Sequence, residues 1–181
     1  MRRLFAALSL ALIVIYPAVA IEAPKGVTLL TVAGNVSESN RGPFDPFVDA
    51  FLNFHEKSFE KATTFDLEML QTLPQVEVTA DAEAFPEPVR AKGPLLNDVL
   101  SAAGVPKTAT VTMLAFDGYA VDFSAEDRAA KNFVLAHSLD GAPMGLGQRG
   151  PLWVLTDTGG KKASEDEEAT WIWSVFYIEA Q

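Results

Sequence analysis

DGAPMGLGQRGPLWVL, residues 140–155, is the stretch on which the reading of this chain turns. Asp140-Gly141 is a tight-turn pair. Gly145, Gly147 and Gly150 flank Gln148 and Arg149. Glycines let a backbone bend sharply and bring its amides close to a ligand, and Arg149 adds a guanidinium that could hold an anion. Residues 152–155, LWVL, read as a short buried strand. The stretch is neither a P-loop nor a dinucleotide fingerprint, since it lacks both GK[ST] and G-x-G-x-x-G between strand and helix. The alternative use of the same residues is a turn in which Arg149 pairs with an acidic neighbour.

Working outward, the flanking segments are short and of mixed type. Residues 27–36, VTLLTVAGNV, are apolar and β-branched, as a strand requires. Asp45-Pro46 predicts a helix start, with Phe47, Phe51 and Phe54 spaced to form one core-facing apolar side. Asp66 is placed to cap a second helix, with Phe65 and Leu70 as its hydrophobic staple and Pro74 as its stop. Residues 76–79 alternate like a half-buried strand, and residues 81–92, rich in proline, glutamate and alanine, read as a surface loop. A helix follows over 95–103, ended by Gly104 and Pro106. Residues 110–116 and 119–123 form a hairpin around Asp117-Gly118. Ser124 to Asp127 resembles a capping box. Residues 133–137 are a strand, residues 158–168 a charged mobile loop, and residues 171–178, WIWSVFYI, the last strand, with Trp171 and Trp173 on one face. Short strands mixed with a few short helices, without regular βαβ alternation, indicate an α+β fold of mixed sheets.

Bulk composition limits the function. Residues 1–20 carry a basic start, an uncharged run and an A-x-A site, so they are expected to be a signal peptide. Residues 21–181 are then expected to form one domain in the periplasm or outside the cell, with no membrane span left after cleavage. The formal charge is −10, which sets nucleic acid and anionic lipid aside as partners. There is no cysteine, hence no disulfide and no thiolate ligand or nucleophile, and the two histidines, His55 and His137, are too few for a histidine-rich metal site. His137, at the end of an apolar strand, reads as a hydrogen-bonded core residue.

Six motifs in order carry a resemblance. They are the helix from Phe65-Asp66-Leu67 to Leu73-Pro74, the stretch from Lys92 to Leu100, the turn Asp117-Gly118-Tyr119, Asp140 to Met144, Arg149 to Trp153, and the terminal Trp171-Ile172-Trp173. Together they resemble the sulfite-oxidase-like family of oxidoreductase molybdopterin-binding domains, as a short secreted member. The resemblance implies an α+β domain with an elongated cofactor cleft. It also implies a molybdenum-ligating cysteine within residues 79–85, here TADAEAF, and basic residues around the pterin phosphate, for which Arg90, Lys92, Arg149 and Arg128 stand nearest. Molybdenum of this kind needs a soft thiolate, which the chain lacks. The family's catalysis is therefore not expected, and no catalytic residue is assigned.

The expectation is a non-catalytic module that uses the old cleft for a small anionic ligand or a periplasmic partner protein. Arg149, Tyr119, Arg90, Asp122 and Gly147 are its candidate binding residues. The alternative is an oxidoreductase subunit that binds molybdopterin without a cysteine ligand, and a third reading is a structural accessory protein. Trp153, Trp171 and Trp173 are read first as core and second as a groove lining.

Overall fold

The computed structural model describes residues 21–181; the expected signal peptide lies outside them. Among these residues the strands are β1 (Leu30–Gly34), β2 (Ala62–Phe65), β3 (Gln75–Ala80), β4 (Val89–Pro94), β5 (Val111–Ala115), β6 (Ala120–Phe123), β7 (Val134–Ala136), β8 (Ser138–Leu139), β9 (Ala142–Pro143), β10 (Trp153–Leu155) and β11 (Val175–Ala180). The helices are α1 (Ala50–Phe54), α2 (Leu67–Thr72), α3 (Leu96–Ala102), α4 (Ala125–Ala130) and α5 (Glu165–Glu168). This is the α+β class expected.

The strands form three sheets: β2-β1-β11-β5-β6, β3-β4-β8-β9, and the pair β10-β7. β1 and β11, from opposite ends of the described chain, pair in parallel with Val32 opposite Ile178. The other neighbours are antiparallel. Alternation sends Val32 and Ile178 into one apolar cluster and Ala33 and Tyr177 into another, so this sheet is covered on both faces. β7 and β10 divide two cores in the same way. Leu135 and Val154 join the cluster against the five-stranded sheet, whereas Val134, Ala136, Trp153 and Leu155 join the one against β3 and β4. Gly93 on β4 lets β7 come this close, because a Cβ there would overlap the Leu135 carbonyl.

Local signals produced much of this. Asp66 caps α2 by accepting from Met69 N at 2.9 Å, and the expected staple residues Phe65 and Leu70 are buried together. Ser124 and Asp127 form a reciprocal capping box on α4. Gly104, at φ 68°, ends α3.

Four expectations are corrected. Asp45 does cap, accepting from Phe47 N and Val48 N, but residues 46–49 form turns and α1 begins only at Ala50. Its phenylalanines are not core: Phe47 is 90% and Phe54 77% exposed. Part of the expected loop over 81–92 is strand, since β4 pairs with β3 along its whole length. The loop over 158–168 contains α5, capped by a second reciprocal box between Ser164 and Glu167. The last strand starts at Val175 rather than 171, because Ser174 takes φ 56° and breaks the extended run. Trp171 and Trp173 therefore share no strand face: Trp171 is buried and Trp173 is 41% exposed.

Candidate functional site

The stretch 140–155 builds the wall of an open cleft. Asp140 and Gly141, both at positive φ, make the turn between β8 and β9. After β9 the chain folds back: Gln148 N donates to Gly145 O at 3.2 Å, and Gly145 N donates to Gln148 Oε1 at 2.9 Å. Gly150 closes the loop, since a Cβ there would collide with Met144. The loop is also clasped from the far end of the chain. Ser174 N donates to Arg149 O at 3.0 Å and Ser174 Oγ donates to Gly150 O at 2.8 Å.

The cleft holds about 780 Å³ and is lined by Leu139, Pro143, Met144, Gly147, Gln148, Arg149 and Trp173. Arg149 lies over two rings, 4.6 Å from the Trp153 centroid and 5.3 Å from that of Phe85. The expected alternative, an ion pair with an acidic neighbour, does not occur: the ion pairs among the described residues leave Arg149 out. A guanidinium stacked on ring faces keeps its N–H edges available to an anion.

Of the five candidate residues, Arg149 and Gly147 line this cleft. Arg90 stands near it on β4, where its N–H donates to Asp140 Oδ1 at 3.0 Å and its Nε lies 3.9 Å from the same atom. Tyr119 and Asp122 are not among the lining residues; they belong to the β5–β6 hairpin of the five-stranded sheet. The Tyr119 hydroxyl donates to Ala169 O at 2.9 Å, and Asp122 accepts from Thr112 Oγ1 at 2.6 Å. Arg128 is buried away from the cleft, donating to Asn97 Oδ1 at 2.9 Å and to the carbonyls of Lys107 and Ala109, so its charge is used internally. Burial lowers its pKa.

Phe85, Met144 and Gln148 were not singled out by sequence as binding residues, and Trp173, read there first as core, takes its second reading as a cleft lining. Phe85 did carry a signal, being the one aromatic in the segment where the resemblance puts a ligand. Behind Pro143 and Met144 lies a second hollow of about 450 Å³, reached by His137, Asp66 and Lys25. His137 Nε2 donates to Gln75 Oε1 at 2.8 Å, the hydrogen-bonded role expected. Burial, and then the nearby Lys92 charge, lowers its pKa below the usual 6.5, so it is neutral at pH 7.

Two abutting cores, a glycine-rich loop and a stacked arginine in a cleft belong to an α+β fold that also occurs in a solved oxidoreductase structure. The chain is similar in structure to the sulfane dehydrogenase SoxCD from Paracoccus pantotrophus, with a TM-score of 0.57 and 18% identity over 89% of this chain. It spans only 40% of that chain's length, and the likeness is one of fold. No family model and no curated protein matches the sequence.

The residues present do not fit a molybdenum centre of the implied kind. The chain has no cysteine. In the segment where a thiolate is implied, Ala80 and Ala82 are fully buried in the cluster that holds Trp153 and Trp171. The Asp81 carbonyl accepts from Ala163 N at 2.8 Å, and Glu83 pairs with Lys162 at 3.0 Å. Methyl groups packed among indoles stand where a soft donor is required. Among the described residues no group of three or more His, Cys, Asp or Glu suits a metal ion. No helix of the described residues is long and apolar enough to cross a membrane.

Proposed function

We propose that this protein is a non-catalytic binding module, exported by its leader, that holds a small anion on Arg149. One observation carries the reading. Arg149 is clamped over Trp153 and Phe85 at the wall of a large cleft and forms no ion pair among the described residues. An arginine that serves only to stabilise a fold usually ends as Arg128 does, buried with both terminal nitrogens donating to oxygens of the protein.

The test is thermal unfolding of the protein purified from molybdenum-replete cells, in the presence of millimolar sulfite, phosphate or simple carboxylates. A ligand that binds only the folded state raises the midpoint by mass action. At least one anion is expected to raise it in the wild type and to lose that effect in Arg149→Gln. Equal midpoints with every anion would overturn the proposal. Molybdenum and pterin bound at one per chain would instead favour the alternative, an oxidoreductase subunit that carries the cofactor without a cysteine ligand.

A partner-protein reading stands second. It is favoured by the exposed Phe47, Val48 and Phe54 beside the half-exposed Phe51, an apolar patch of a kind that soluble surfaces rarely present without use.

A further inference from the structure

The cleft's dimensions, charge and walls narrow the class of anion. This narrowing rests on the anion-binding reading of the same cleft. At about 780 Å³ the cleft falls in the range of sites that enclose organic molecules. An inorganic oxyanion would touch Arg149 and leave the remaining walls against water. Arg149 is the only cation among the lining residues. Arg90, on the neighbouring β4, already faces Asp140, and the sequence as a whole has a net charge of −10. One guanidinium fork matches one carboxylate, and a dianion would remain half unneutralised.

Leu139, Pro143 and Met144 give the cleft apolar lining. Trp173 is the tryptophan left available: it is 41% exposed, whereas Trp153 and Trp171 are buried. An open indole beside a methionine suits a flat apolar body through stacking and sulfur–ring contact. Gln148 spends its Oε1 on Gly145 N, which leaves its amide NH₂ to donate to a ligand oxygen.

We infer that the ligand is an organic monocarboxylate with a flat apolar body, its carboxylate on Arg149 and its body against Trp173 and the apolar lining of the same cleft.

The experiment titrates the full chain with 3-phenylpropionate, its neutral amide, acetate, sulfite and phosphate, read by calorimetry and tryptophan fluorescence. 3-Phenylpropionate is expected to bind at least about tenfold more tightly than acetate, sulfite or the amide and to change the fluorescence. A charge-assisted pair and a buried ring are each worth that factor or more. Arg149→Gln should lose about tenfold or more for 3-phenylpropionate. Trp173→Ala should reduce it toward the acetate level. Should Trp173→Ala fail to fold, the comparison of acid with amide and acetate on the wild type decides alone. Arg149-dependent binding of sulfite or phosphate without preference for 3-phenylpropionate overturns this inference and leaves the anion reading intact. Binding of 3-phenylpropionate that ignores Arg149→Gln, or no binding of any probe, overturns both.

Discussion

Tyr177 buries its ring in the five-stranded sheet and leaves its hydroxyl inside the protein with no hydrogen-bond partner among the described residues. Burial, with the Glu179 charge adding to it, raises its pKa, so the hydroxyl stays protonated. A buried hydroxyl without a partner costs about 1–3 kcal/mol on mutational scales. Tyr177→Phe keeps the ring and removes that cost. The variant is expected to match or exceed the wild type by about 1 kcal/mol in denaturant melts.

His137 behaves oppositely, since its bond to Gln75 satisfies one nitrogen while burial keeps the ring neutral. Its folded pKa is below the unfolded value near 6.5, so the unfolded chain binds the extra proton first. This contribution to stability is complete above pH 6.5, falls as the pH drops through the interval below it, and levels off under the folded value. Melting midpoints between pH 8 and about 5.5 should decline in the wild type and stay flatter in His137→Gln. An equal decline in both would remove His137 as the cause.

At the scale of elements, α1 shows why helical spacing alone misleads. Phe47, Phe51 and Phe54 have the spacing of a core-facing stripe, yet the helix packs through Leu52 and leaves Phe47 and Phe54 outward. Only Leu52 of this helix is buried. Phe51 stacks edge-on against Phe116 at 5.5 Å, and both line a small apolar groove with Leu146. Because Phe47 and Phe54 contribute little to the core, Phe47→Ser and Phe54→Ser should each stay within about 0.5 kcal/mol of the wild type in urea melts. A loss comparable with a core truncation, about 2–5 kcal/mol, would return these rings to the interior.

At the scale of the whole molecule, the β7–β10 pair is the wall between two cores, and Gly93 is the contact that lets β4 lie against it. A methyl group there would meet main-chain atoms of Leu135 and Ala136, which cannot move without shifting β7. Gly93→Ala should cost about 1–3 kcal/mol or more, read as a lowered midpoint in chemical unfolding. An unchanged midpoint would mean that the two sheets are not held in this contact.

Turns and caps were legible because each depends on one backbone angle or one local bond. Examples are the Asp140-Gly141 turn, the Asp66 cap with its Phe65–Leu70 staple, the box at Ser124, and the hairpin at Asp117-Gly118. The candidate site was legible only in its loop. Arg149 and Gly147 belong to one local segment and reach the cleft together, whereas Tyr119 and Asp122 carry the right chemistry on another sheet.

By itself, then, the sequence determined the α+β character, the glycine-rich turn that presents Arg149, and the lack of any thiolate for molybdenum, since composition and local stereochemistry are sufficient for all of these. Only the tertiary structure decided what Arg149 rests on and what opens in front of it. Phe85, Trp153 and Trp173 come from separate segments, and Ser174, which clasps the loop, stands just before β11, the strand that pairs with β1. Contacts between distant segments follow from the simultaneous packing of every sheet, which no local window of sequence contains.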